Sequence, residues 1–148
     1  MRLQSEDLCL LKQLRNVYAE AFDETEKYLV NIPSDEYLLS VLSDDKHVSL
    51  VATDGSGNVV GGLTAYVLQK IEQPHSEIYL YDLAVLESHR RQGIATSLIE
   101  ELKAVGRNLG AHVIFVQADN VDAPAVALYE KLCDSKETGI SHFDITID

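Results

Sequence analysis

The feature that most constrains the fold is a strand, a glycine-bearing loop, a helix and a second strand in direct succession. Residues 78 to 85 form an apolar, β-rich run that leads into Arg90, Arg91, Gln92 and Gly93. Apolar residues then recur at helical spacing from 93 to 109, and residues 112 to 118 are nearly all apolar. Two strands joined by one helix are expected to run parallel, because a tight turn joins only antiparallel strands. The segment therefore predicts an α/β domain with the first of these strands at the centre of its sheet.

The other elements follow from the same two periodicities. A helix is predicted over 6 to 22 with Ser5 as its N-cap, and a second, shorter helix begins after Ser34. The β-rich runs 47 to 53 and 59 to 69 flank Asp-Gly-Ser-Gly-Asn, a composition typical of a hairpin turn. Gly61 and Gly62 indicate a bulge or a close backbone approach in the second of these strands.

The ends of the chain complete the pattern. Residues 1 to 4 are interpreted as a first edge strand, and 23 to 33 as an irregular segment. Asp122 is predicted to cap a last helix whose inner face includes Tyr129, and residues 140 to 147 to form a strand that closes the sheet. The order predicts one domain, 1 to 148, of α/β class, with three layers and a mixed central sheet covered by helices on both faces.

The loop at Gly93 has the chemistry of an anion site. Backbone N–H groups converge where a glycine-bearing loop enters a helix, and the helix dipole adds partial positive charge. Arg90 and Arg91 add full charges that match phosphate oxygens. The alternative is a plain strand-to-helix turn with two solvated arginines.

Charge and composition restrict the partners. The 148 residues carry a formal net charge of −12, which argues against nucleic-acid binding and favours a cationic partner. Cys9 and Cys133 have no metal-type spacing, and we expect no metal site. We also expect a cytoplasmic protein with no targeting peptide and no membrane association, because no apolar run is long enough to cross a bilayer.

Several stretches together resemble a known family. The loop resembles the acetyl-CoA loop of the GNAT N-acetyltransferases, in which Arg/Gln-x-x-Gly-x-Gly/Ala joins a strand to a helix. The wider likeness is to the type I aminoglycoside 3-N-acetyltransferases, the gentamicin-modifying branch associated with antibiotic resistance. It rests on five stretches: AYVLQKIEQPHSEIYLYDLAV (65 to 85), HRRQGIATSLIEELK (89 to 103), VIFVQAD (113 to 119), PAVALYEKL (124 to 132) and HFDI (142 to 145).

The resemblance implies acetyl-CoA as co-substrate, bound between splayed parallel strands, with direct transfer to an amine and no protein nucleophile. It also implies a homodimer and an oxyanion-stabilising N–H near Ala84 or Val85. The implied cofactor-binding residues are Leu83, Ala84, Val85, Arg90, Arg91, Gln92, Gly93, Ile94, Ala95, Thr96, Ser97 and Asn120. For two of these the alternative role is helix capping (Thr96 and Ser97), and for Asn120 it is shaping a turn.

Two residues receive catalytic roles on the same basis. Tyr129, in the A-x-x-L-Y-x-K-L motif, is the implied general acid that protonates the CoA sulfur; the alternative is a core tyrosine. Asp82 is the implied general base or amine-orienting carboxylate, and its alternative is a structural aspartate bonded to backbone or to an arginine. Strand alternation places Asp82 on the face opposite Glu77 unless a bulge intervenes.

The acceptor residues are predicted from charge and from position at strand ends. They are Glu77, Asp119, His142 and Asp144, each with surface or structural roles as the alternative. Three functions stay open at this point. The first is acetylation of the 3-amino group of an aminoglycoside, the second is acetylation of a polyamine or of a peptide or protein amine, and the third is acyl-CoA binding without catalysis.

Overall fold

A computed structural model describes residues 1–147, in two compact units that meet in sequence between Gln117 and Ala118. The first unit contains helices α1, α2 and α3 and a four-stranded sheet, and the second contains helix α4. Their bounds are α1 Leu8–Ala21, α2 Asp35–Leu42, β1 His47–Thr53, β2 Val59–Gln69, β3 Ser76–Val85, α3 Ile94–Asn108, β4 Ala111–Val116 and α4 Ala123–Leu132. The prediction of a single domain stays a prediction.

The sheet has the strand order β1-β2-β3-β4. β1, β2 and β3 pair antiparallel, whereas β4 is parallel to β3, so the predicted hairpin, the parallel pair and the central place of β3 are confirmed. Asp54 organises the hairpin turn, because its Oδ1 accepts hydrogen bonds from the N–H groups of Ser56 and Asn58 at 2.8 and 2.9 Å.

Helices cover both faces of this sheet, which confirms the predicted three-layer α/β class. On one face, a Cβ added to Gly62 of β2 would lie 2.5 Å from Leu14 of α1, so this glycine permits the predicted close approach. On the other face, Gly106 of α3 lies against Ile78 of β3. We call the two sides the α1 face and the α3 face. The α1 face is filled by a hydrophobic cluster that includes Leu11, Leu14, Val17, Tyr18, Leu38 and Leu42.

β3 contains a bulge that changes which side chains share a face. Thr64 of β2 pairs with Asp82, but the next residue, Ala65, pairs with Leu80, so Tyr81 is the extra residue. The bulge reverses the alternation beyond this point. Asp82 therefore shares the α1 face with Glu77 and Tyr79, whereas strict alternation places them on opposite faces.

The start of the chain differs from prediction in two respects. Residues 1 to 4 form no strand, because only the single bridge between Arg2 and Leu50 pairs them with β1. Ser5 does not cap the first helix: a 3₁₀ turn, Ser5–Asp7, precedes α1, and the Ser5 hydroxyl hydrogen-bonds to that of Ser43 at 3.1 Å. The Asp7 carboxylate instead accepts from the Gln4 N–H at 2.8 Å. Ser34 does cap α2, accepting from the Tyr37 N–H.

The second unit confirms one prediction and overturns another. Asp122 caps α4 by accepting a hydrogen bond from the Ala125 N–H, with Pro124 in the first turn as expected. The predicted strand over 140 to 147 is wrong, because the structure has neither helix nor strand from 134 to 147. Among the described residues, 1–147, no helix has the length and apolar character needed to cross a membrane.

Candidate active site

The loop after β3 has the backbone geometry of an anion site. Gly93 has φ +78° and directly precedes α3, and Arg91 has φ +62°, so two of three consecutive residues are left-handed. The first N–H groups of a helix have no partner within the helix, and no side chain caps α3. Thr96 and Ser97 therefore do not cap it. These N–H groups remain available to a ligand's oxygens.

The two arginines of the loop differ in their contacts. Arg90 donates from Nε to the carbonyl oxygen of Val85 at 3.0 Å, which fixes the loop against the end of β3. The guanidinium of Arg91 forms no hydrogen bond or ion pair with any of residues 1–147 and is exposed. Arg91 can thus offer its full donor set to an anion.

One edge of β3 is open over its last residues. Pairing between β3 and β4 ends at Leu80 with Val116, while β2 continues to pair with β3 through Val85. The backbone groups of Leu83, Ala84 and Val85 on the β4 side are consequently free of the ladder. An extended ligand can hydrogen-bond to such an edge as an added strand does.

Asp82 lies at the junction between this edge and the bulge. The residue is partly buried, and its carboxylate forms no hydrogen bond or ion pair within residues 1–147. Burial raises the pKa of Asp82, the charge of Lys27 lowers it, and that of Glu24 raises it again. The structure gives no support to a structural aspartate bonded to backbone or to an arginine. A carboxylate without partners and with a raised pKa suits a functional role.

Tyrosine rings surround Asp82 on the α1 face. Tyr66 and Tyr79 each form an edge-on contact with Tyr81, with ring centroids 5.8 and 5.5 Å apart. Beneath them, the buried Tyr18 hydroxyl hydrogen-bonds to that of Thr64 at 2.9 Å. Burial, with a contribution from the Asp82 charge, raises the pKa of Tyr28 to about 12. The Tyr28 phenol therefore stays protonated at neutral pH and can donate a hydrogen bond.

A one-turn π-helical segment, Glu26–Val30, and the residues just before it supply charged side chains near Asp82, since the charges of Lys27 and Glu24 act on its carboxylate. Lys27 pairs with Glu24 at 3.0 Å, and its ammonium lies 5.4 Å from the Tyr28 ring centroid. An open depression next to them is lined by six residues with polar or charged side chains: Asp23, Glu24, Thr25, Glu26, Lys27 and Asn31. The segment predicted as irregular therefore supplies an acidic surface with one lysine.

Glu77 shares a face with Asp82 but not its surroundings. It lies five residues earlier on β3, about 16 Å along an extended strand. Lys70 at 3.6 Å and His112 at 4.0 Å pair with its carboxylate. The structure thus brings Asp82 together with tyrosines and leaves Glu77 in an ion-pair group of its own.

The predicted residues of the second unit have local partners. Asp119 Oδ1 accepts a hydrogen bond from the Val121 N–H at 3.2 Å, in the turn that also contains Asn120. His142 Nε2 and Asp144 Oδ1 lie 3.0 Å apart, and both side chains are exposed. Tyr129 is partly buried on α4. The roles assigned to these residues stay predictions.

The sequence analysis did not identify the tyrosines or the Glu24–Lys27 pair as part of the candidate site. A signal was present for part of the group, because Tyr79 and Tyr81 directly precede Asp82 in the run YLYD. Lys27 and Tyr28 gave none, since only the tertiary fold brings the segment 23–33 near β3.

Comparison with known proteins agrees with this geometry. The model of the acetyltransferase (GNAT) family matches residues 11–134. A crystal structure of an aminoglycoside acetyltransferase, HMB0005, from an uncultured soil metagenomic sample is 47% identical, with TM-score 0.95, covering 100% of this chain and 97% of that one. A second soil metagenomic aminoglycoside acetyltransferase, meta-AAC0020, solved in complex with sisomicin, is 32% identical with TM-score 0.91, covering 100% and 95%.

Curated sequences match over a shorter span. The N-alpha-acetyltransferase of Saccharolobus solfataricus is 34% identical over 85 residues, which cover 50% of this chain and 51% of that protein. The chain thus spans about half the length of this relative. That relative, too, is an acetyltransferase.

Proposed function

This chain belongs to the acetyltransferase (GNAT) family; from that premise, we propose that it is an acyl-CoA-dependent N-acetyltransferase that acetylates the 3-amino group of an aminoglycoside. The observation that carries the proposal is the bulge at Tyr81, which places the unpaired Asp82 carboxylate among tyrosines on the α1 face. The likeness to aminoglycoside acetyltransferases over the whole chain supports the same substrate class.

The loop after β3 fits the diphosphate of CoA. The N–H groups at the uncapped start of α3, the left-handed Gly93 and the unpaired Arg91 supply donors and positive charge. The hydroxyls of Thr96 and Ser97 add donors, and the free edge at Leu83, Ala84 and Val85 suits the amide groups of the pantetheine arm. When bound, acetyl-CoA supplies the activated acetyl group.

Asp82 acts on the amine that attacks this group. The amine must lose a proton to become a nucleophile, and a carboxylate whose pKa burial raises is a stronger base than an exposed one. Tyr66 and Tyr81 hold the polar part of the substrate by donating hydrogen bonds to its hydroxyls. The acidic segment near Glu24 attracts the remaining ammonium groups.

Tyr129 is proposed as the general acid that protonates the departing thiolate. This role rests on the A-x-x-L-Y-x-K-L motif. Tyr129→Phe is expected to lower turnover while leaving acetyl-CoA affinity nearly unchanged, as measured by steady-state kinetics and calorimetry. An unchanged turnover number would remove Tyr129 from the mechanism.

A second candidate function is acetylation of a peptide N-terminus, which the match to an N-alpha-acetyltransferase favours. A thiol-release assay separates the two, with gentamicin, sisomicin, spermidine and a short peptide offered in parallel. We expect the highest kcat/KM with the aminoglycosides, and NMR of the product should show the acetyl group on the 3-amino nitrogen. Preference for the peptide would replace the proposal, and acetyl-CoA binding without turnover of any amine would indicate a sensor.

A further inference from the structure

The pair formed by Glu24 and Lys27 is anchored to α1 on both sides. The Glu24 N–H donates to the carbonyl oxygen of Ala19 at 3.1 Å. On the other side of Lys27, the carbonyl oxygen of Tyr28 accepts a hydrogen bond from the Arg15 guanidinium at 2.6 Å. The backbone that carries the Lys27 side chain is therefore fixed to α1 both before and after this residue.

The Lys27 ammonium has the contacts that a protein offers to a bound amine. It lies 3.0 Å from the Glu24 carboxylate and 5.4 Å from the centroid of the Tyr28 ring. Carboxylates and aromatic faces are the groups that recognise ammonium ions. The hydrogen bond to Glu24 raises the pKa of Lys27, burial lowers it, and the charges of Glu24 and Asp82 raise it further. Lys27 thus keeps its positive charge at neutral pH, and the Asp82 carboxylate attracts it.

A lysine at this place opposes the attraction of cations by the surface around it. Of the six residues that line the depression, three are acids and Lys27 is the single cation. Its charge acts on Asp82, the carboxylate on which the proposed reaction depends. The Lys27 side chain is 66% exposed and has a flexible four-carbon stem, so its ammonium can move into solvent without any change in the backbone.

We propose that the Lys27 ammonium holds, in the free protein, the place beside Glu24 and Tyr28 that one ammonium group of a polycationic acceptor takes on binding. Glu24 then exchanges one ammonium for another, so the net gain in affinity is small. Acetylation removes one charge from the acceptor, and the product keeps the others. The return of Lys27 to Glu24 favours release of that product. The inference rests on the proposed function for the class of acceptor, and it makes Lys27 a residue that limits acceptor affinity.

The first test is calorimetric titration of gentamicin into the full chain at low ionic strength, without acetyl-CoA. Lys27→Gln is expected to lower the dissociation constant about 3- to 5-fold, the range that an exposed ion pair supports. Lys103→Gln is the matched control, because Lys103 pairs with Glu100 at 2.7 Å with the same i,i+3 spacing on α3. The control removes the same net charge and should leave the constant nearly unchanged. Equal gains in the two variants, or no gain in Lys27→Gln, would overturn the inference.

A double-mutant cycle separates displacement of Lys27 from simple repulsion by its charge. The same titration is repeated with Glu24→Gln and with the double variant Glu24→Gln/Lys27→Gln. If Lys27 competes with the acceptor for the Glu24 carboxylate, the gain from Lys27→Gln should disappear when Glu24 is replaced. The same gain in both backgrounds would show that Lys27 only repels cations at a distance, and would overturn the inference.

Thiol release and NMR of the product distinguish failure of this inference from failure of the proposed function. If the wild type acetylates the 3-amino group of gentamicin but Lys27→Gln binds it no more tightly, the inference fails and the proposed function stands. If Lys27→Gln gains affinity only in the presence of Glu24 and the 3-amino group is not acetylated, the inference stands and the proposed function fails. The inference is also overturned if neither the wild type nor Lys27→Gln binds gentamicin.

Discussion

The part of β3 up to Asp82 and the part that follows it differ in charge, packing and partners. The part that ends at Asp82 carries an unpaired acid among tyrosine rings, and charges from the segment 23–33 act on it. The part beyond it, Leu83 to Val85, is apolar, has a free ladder edge and leads into two arginines and an uncapped helix start. The difference indicates that one strand serves two ligands of opposite charge, an acceptor amine on one side and a diphosphate on the other.

The largest effect that would sharpen this comparison is expected for Asp82→Asn. If Asp82 is the general base, turnover should fall about 10²- to 10⁴-fold, while acetyl-CoA affinity stays unchanged. Steady-state kinetics from pH 6 to 9 measures turnover, and calorimetry measures acetyl-CoA affinity. Asp45→Asn, an exposed substitution of the same kind, is the control and should be neutral. Unimpaired turnover across this pH range would leave the acidic part of β3 without a catalytic role.

The next largest effect is expected at Gly93. Gly93→Ala puts a Cβ on a residue with φ +78° and should reduce CoA affinity about 10- to 100-fold by moving the N–H groups at the start of α3. Gly57→Ala is the matched control, since Gly57 has φ +86° and, like Gly93, open space around its Cβ position.

Both glycine substitutions are expected to cost about 1 kcal/mol of stability, because both force alanine into the left-handed region. Thermal unfolding measures that cost and calorimetry measures CoA binding. Equal losses of CoA affinity in the two variants would show that the loop at Gly93 has no special part in binding.

Removal of one charge from the loop should have a smaller effect. Arg91→Gln is expected to weaken CoA binding about 10-fold, which corresponds to one charge-assisted hydrogen bond of about 1.4 kcal/mol. Arg107→Gln, near the opposite end of α3, is the control for the change in net charge. Rising ionic strength should reduce the difference in CoA affinity between the wild type and Arg91→Gln, because salt screens exposed charges.

The smallest expected effect is on stability, and it concerns Asp82 again. Burial raises the pKa of Asp82 in the folded state, so the fold binds this proton more tightly than the unfolded chain does. The ionised carboxylate therefore destabilises the fold as pH rises from about 4 through the folded pKa.

Asp82→Asn removes that destabilisation, so its Tm should exceed that of the wild type at pH 7 and match it near pH 3.5. Scanning calorimetry at the two pH values checks the sign. A lower Tm at pH 7 would mean that the carboxylate stabilises the fold through a partner.

The parts of the fold set by local pattern were predictable. The helix start at Gly93, the hairpin turn around Asp54 and the parallel β3–β4 pair follow from short-range spacing and turn chemistry. The bulge at Tyr81 was not, because it depends on how β2 and β3 align over their whole length. The sequence left both arrangements of Asp82 and Glu77 open, and the bulge selected one.

Residues 140 to 147 show the opposite kind of error. Their alternation predicted a strand, but alternation alone does not make one, because a strand also needs main-chain hydrogen bonds to a neighbour, and the structure has no strand there. In the same way, the tyrosines around Asp82 come from α1, β2, β3 and the segment 23–33, so no short motif could have grouped them.

The division of β3 between two ligands is tested most directly by titrating CoA and gentamicin separately into the wild type, Arg91→Gln and Asp82→Asn in a calorimeter. The account predicts a crossed result: Arg91→Gln weakens CoA binding and leaves gentamicin binding intact, whereas Asp82→Asn weakens gentamicin binding and leaves CoA binding intact. If either substitution weakens both ligands equally, or if the wild type gives no heat with CoA, the account is contradicted.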